Sequence, residues 1–98
     1  MNFKEFKKLK IQYNKCNIEE YKEEKVIKAK DKRTILNEEN IYEVYPAAND
    51  SKRVYVVCPY CGEIHIHGYT EDTIPGYRSP FCTLDNSIER KSYYINTL

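Results

Sequence analysis

Two cysteines and two histidines fall within ten residues, in the run Cys58-Pro59-Tyr60-Cys61-Gly62-Glu63-Ile64-His65-Ile66-His67. Cys-Pro-x-Cys-Gly has the form of a metal knuckle. A tight turn between the cysteines aims two thiolates at one point, and the glycine after the second tolerates backbone angles that other residues resist. Thiolate and imidazole together suit zinc, which takes four such donors in a tetrahedron. Cys58 and Cys61 supply two. His65, His67 and Cys82, the last twenty-one residues beyond Cys61, are the nearby candidates for the remaining places. His65 and His67 share a strand face about 7 Å apart at ~3.4 Å rise per residue. His65 is nearer the knuckle, so the favoured set is Cys58, Cys61, His65 and Cys82. His67 is then a substitute ligand or a hydrogen-bonding neighbour. A fully protein-liganded site of this kind is structural rather than catalytic, and one Zn2+ is the expected cofactor.

Other chemistries use similar residues. Cys-Pro-Tyr-Cys also matches a glutaredoxin-type redox tetrapeptide, which needs its first cysteine at a helix N-terminus to stabilise the thiolate. Here a glycine and an alternating strand pattern follow. A zinc deaminase needs His-x-Glu upstream of Pro-Cys-x-x-Cys, whereas both histidines lie downstream and no proline precedes Cys58. A Cys58–Cys61 disulfide is disfavoured in a reducing compartment. His67 beside Arg78 leaves a small metalloenzyme as an alternative function.

The elements that must position this cluster follow from hydrophobic periodicity. Arg53–Val57 (RVYVV) is β-branched and aromatic, and residues 63–69 (EIHIHGY) alternate, so the knuckle caps a hairpin. Residues 41–45 (IYEVY) and 92–98 (SYYINTL) also read as strands. If 77–82 pairs with 63–68, Cys82 returns to the knuckle and Arg78 lands near His67. The N-terminal part reads as helical: Phe3, Phe6, Leu9 and Tyr13 recur every three or four residues. Asn17 with Glu20 fits a capping box opening a second helix from Ile18 towards Ala29. Residues 25–36 fit either the end of that helix or a strand pair turning at Asp31-Lys32. Cys16, remote in sequence from the cluster, reads as a small buried apolar group. The expected fold class is α+β: an N-terminal helical segment packed on a small antiparallel zinc-ribbon-like sheet. A single domain spans 1–98, with a basic helical segment over 1–33 and a β-rich zinc-binding part over 41–98.

Bulk properties bound the function. Apolar residues make up 41% of the 98-residue chain and charged residues 32%, a globular composition rather than a disordered one. A domain this small has a modest core, which a metal staple would supplement. No apolar run resembles a signal peptide or membrane span, so the expectation is a cytoplasmic protein with no membrane partner. Residues 1–33 carry eleven Lys/Arg against six Asp/Glu, a net of +5, and residues 34–98 carry five against nine, a net of −4. The basic end suits nucleic acid or an acidic protein surface. Arg53, Arg78, Arg90, Lys91 and the ten tyrosines add cations and stacking rings.

Over residues 53–82 the chain resembles a group of small proteins from phages, archaeal viruses and their hosts. Their shared pattern is Cys-Pro-x-Cys-Gly-x-x-His-x-His-Gly, then Gly-x-Arg and a nearby His-Cys. Cys58-Pro59-Tyr60-Cys61-Gly62, His65-Ile66-His67-Gly68, Gly76-Tyr77-Arg78 and Cys82 match it. Phe81 stands where the pattern has histidine, which argues against a required ligand at that position. The resemblance implies a metal knuckle and a viral or mobile-element origin. The expected function is a small non-enzymatic zinc-binding module that contacts nucleic acid or regulates a partner, or alternatively an inhibitor or adaptor of a host factor.

Overall fold

The structure is a computed structural model that describes residues 3–23, 26–70, 72–79 and 92–97. Among the described residues, one short helix, α1 (Phe3–Lys8), precedes ten strands: β1 (Gln12–Tyr13), β2 (Ile18–Glu23), β3 (Val26–Asp31), β4 (Ile35–Leu36), β5 (Tyr42–Val44), β6 (Ala48–Asn49), β7 (Arg53–Val57), β8 (Ile64–Gly68), β9 (Gly76–Arg78) and β10 (Tyr93–Ile95). They form a four-stranded sheet in the order β1-β6-β7-β8, a second in the order β4-β5-β10-β9, and the separate pair β2-β3. The first sheet is antiparallel throughout. The second is mixed, because β10 runs parallel to β5 and antiparallel to β9.

This corrects the α+β expectation. The helix is six residues long, and most of segment 1–33 is not helical. The segment from Ile18 towards Ala29, read as a capped helix, lies instead in an antiparallel hairpin in which Ile18 stands opposite Asp31 and Glu19 opposite Lys30. The cap signal at Asn17 is local and worth about 1 kcal/mol. Against it stand the β-branched residues Ile18, Val26 and Ile27, which suit a pleated surface, and ties at the open end of the hairpin. The Lys32 amide donates to the Asn17 carbonyl at 2.9 Å, Lys32 ion-pairs with Glu19, and buried Asp31 accepts from the Arg33 guanidinium at 2.9 Å.

β7 is central, and Val54–Val57 are buried on both of its faces while Arg53 is exposed. Register pairs Tyr55 with Ile66 and Val57 with Ile64 on one face. That face packs with Phe6, Ala47 and Ala48 in one core cluster, against which Ile11, Cys16 and Ile18 also lie. Phe6 of α1 meets Tyr55 with ring centroids 5.8 Å apart. The other face pairs Val54 with His67 and Val56 with His65. It meets the second sheet through a core of Val44, Val54, Val56, Cys58, Ile74, Tyr93 and Ile95. Both histidines therefore point between the two sheets.

Candidate metal centre

β7 runs directly into the knuckle and β8 runs out of it. The Cys58 amide donates to the Glu63 carbonyl and the Gly62 amide to the Cys58 carbonyl, each at 2.9 Å. Gly62 takes φ of 77°, the left-handed region in which a side chain costs about 1–2 kcal/mol. The turn also aims amides at sulfur: Tyr60 N–H donates to Cys58 Sγ and Glu63 N–H to Cys61 Sγ, each at 3.4 Å. Such donors favour the thiolate form of a ligand. Tyr60, at the tip, stands edge-to-face on Tyr42 of β5 at 5.5 Å, which anchors the knuckle to the second sheet.

Cys58, Cys61 and His65 form a group close enough to bind a metal ion, with ligand atoms all within 4.8 Å of one another. The two cysteines are not joined in a disulfide. Cys61 Sγ stands 3.4 Å from His65 Nε2. Metal–sulfur and metal–nitrogen bonds of about 2.3 and 2.05 Å at a tetrahedral angle place the two donors about 3.6 Å apart, so the spacing fits a shared ion. Proximity to Cys61 and burial push the Cys58 thiol well above its ordinary range.

His67 takes a different place. Its Nε2 shares a hydrogen bond with the hydroxyl of Tyr93, the two rings standing edge-to-face with centroids 5.5 Å apart. His67 is 5% exposed and Tyr93 fully buried. Burial, then His65 and Arg78, lower the imidazole to a pKa of about 4, so it is neutral at pH 7. The bond ties β8 of one sheet to β10 of the other. Arg78 lies opposite Tyr93, as expected near His67, but by another route: β9 pairs with β10 and not with β8. The Arg78 guanidinium donates to the carbonyls of Tyr77 at 2.7 Å and Thr73 at 3.0 Å, which closes the loop between β8 and β9. Cys82, Phe81, Arg90 and Lys91 lie outside the described residues. Cys16 stays apart from the cluster; its thiol donates to the Ala47 carbonyl at 3.6 Å, and burial and then Asp31 raise its pKa. Sequence reasoning missed Tyr93 as the partner of His67. The alternation of Ser92–Asn96 marks Tyr93 and Ile95 as one face, but not which sheet that face meets.

The fold and the group together define a small, β-rich chain with a two-cysteine, one-histidine cluster on a hairpin knuckle. In comparisons with known protein families, curated proteins and solved structures, nothing matches the chain.

Proposed function

We propose that the chain is a non-enzymatic module built on one structural zinc ion, held by Cys58, Cys61 and His65, with Cys82 as the fourth donor. The convergence of the first three ligand atoms within 4.8 Å of one another, with Cys61 Sγ 3.4 Å from His65 Nε2, carries this reading. Thiolate and imidazole donors select zinc over the hard cations that prefer oxygen. Three thiolates and one imidazole leave no open position for substrate, which favours a structural role. In zinc-finger peptides such binding contributes about 10–16 kcal/mol at neutral pH, ample to fix a small core. Metal analysis of the purified, reduced chain beside Cys58→Ser, His65→Ala and Cys82→Ser tests it. Loss of metal from all three variants is expected. Retention by Cys58→Ser or His65→Ala overturns the site, and retention by Cys82→Ser removes that residue from it.

Nucleic acid is the proposed partner of the basic end. Lys7, Lys8, Lys10 and Lys15 are exposed there, and so is the ring of Tyr13. Four phosphate contacts would give a slope of log affinity against log salt of about −3 to −4. A flat salt dependence would leave a protein partner as the better reading.

A further inference from the structure

The outer face of the second sheet is a different surface from the knuckle and the basic end. Register puts Ile35 opposite Glu43, Glu43 opposite Tyr94, and Tyr94 opposite Tyr77. One row therefore crosses all four strands on a single face. The neighbouring residues Val44, Tyr93 and Ile95 point the other way, into the core. Ile35 is 50% and Tyr77 53% exposed, a high value for the ends of a sheet row. The β4–β5 turn overhangs this face. Asn37 Oδ1 accepts from the Glu39 amide at 2.9 Å and the Ile41 amide at 3.0 Å, and Asn40 takes φ of 63°. The result is an open groove of about 470 Å³, lined among the described residues by Asn37, Glu38, Glu39, Glu43, Tyr77 and Tyr94.

The chemistry of this groove is one-sided. Three carboxylates line it with two tyrosines whose rings meet edge-to-face at 5.0 Å. Asn96 Nδ2 donates to Glu43 Oε1 at 3.3 Å, which holds that carboxylate over the sheet. No cation within the described residues forms an ion pair with Glu38, Glu39 or Glu43. Aromatic faces attract cations, and carboxylates accept the planar guanidinium fork in a bidentate manner. Phosphate would be repelled from the same surface.

We infer that this groove binds an arginine-bearing basic segment of a partner protein, with the guanidinium set between the Tyr77–Tyr94 pair and the carboxylates of Glu38, Glu39 and Glu43. Ile35 extends the row as an apolar contact for the neighbouring side chain of that segment. The surface is formed by the second sheet alone, so the inference does not depend on the identity of the metal or on nucleic-acid binding.

The test is a nuclear magnetic resonance titration of the full chain with a blocked Arg-Gly repeat peptide, beside the same peptide carrying citrulline. Citrulline keeps the shape and removes the charge. Saturable shifts are expected at Glu38, Glu39, Glu43, Tyr77 and Tyr94 with the arginine peptide and not with the citrulline peptide. Tyr77→Ala and Glu39→Gln, both at exposed positions, should each weaken binding about two- to fivefold, while Tyr77→Phe keeps the ring and the affinity. Shifts confined to other surfaces, equal binding of both peptides, or variants that bind like the parent chain would each overturn the inference. So would concentration-dependent shifts of the groove residues without peptide, because a second copy of the chain would then be the occupant.

Discussion

Replacing Tyr93 with phenylalanine isolates one buried interaction. The substitution removes a single oxygen and keeps the ring that stands edge-to-face on His67. Both residues are almost wholly shielded from water, so solvent has little access to replace the lost partner of His67 Nε2. Removing one partner of a buried hydrogen bond costs about 1–3 kcal/mol. In a domain of this size each kcal/mol lowers Tm by about 4–8 °C. Urea denaturation of the metal-loaded chain reads the change as a lower midpoint at an unchanged slope. Tyr77→Phe is the control: its ring is half exposed, and a change within about 0.5 kcal/mol is expected. Metal stoichiometry should be the same in Tyr93→Phe and the parent. A loss of under about 0.5 kcal/mol would show that the His67–Tyr93 bond does not hold the sheets together. A fall in metal content with no other change would instead make His67 a ligand that Tyr93 positions.

Further outcomes follow from the same geometry. Gly62→Ala forces a side chain into the left-handed region and should cost about 1–2 kcal/mol, with weaker metal retention, because the turn that sets Cys58 against Cys61 must shift; chelator competition measures this. Gly76→Ala should destabilise the β8–β9 connection by about 1–3 kcal/mol, since a Cβ there would stand 2.8 Å from the Thr73 carbonyl oxygen, and thermal unfolding reads it. The Lys52 amide above all, then the Arg53 amide, the Tyr55 hydroxyl and the Arg53 guanidinium, hold the Asp50 carboxyl below its ordinary range. A lowered folded-state value means that its contribution is fully present above the ordinary carboxylate range and is lost as pH falls through the lowered value. Asp50→Asn should flatten that part of the acid denaturation curve, and an unchanged curve would contradict the assignment.

The parts of the fold legible in the sequence are those fixed by near neighbours. Arg53–Val57 and Ile64–Gly68 are strands because β-branched and alternating residues surround a turn whose proline, glycine and paired cysteines admit one geometry. The placement of Cys58, Cys61 and His65 follows from that hairpin alone. What was not legible depends on distant partners. Asn17 and Glu20 make the stretch from Ile18 towards Ala29 pass for a capped helix, and the fastening through Asn17, Asp31 and Arg33 that helps select the hairpin is not visible in that local pattern. β9 has equal local reason to join β8 or β10, and the parallel pairing of β10 with β5 joins segments that no local pattern connects. His67 illustrates the same limit. Its alternation with His65 was plain, yet its partner Tyr93 belongs to the other sheet. Among the described residues, no helix is long and apolar enough to cross a membrane.

X-ray absorption spectroscopy on the purified, reduced chain examines the metal centre most directly. One zinc per chain is expected, with sulfur scatterers at about 2.3 Å and at least one nitrogen scatterer at about 2.0–2.1 Å. Folded, reduced protein that holds no metal and takes none up, or a zinc shell of oxygen donors alone, would contradict the assignment of Cys58, Cys61 and His65 as ligands.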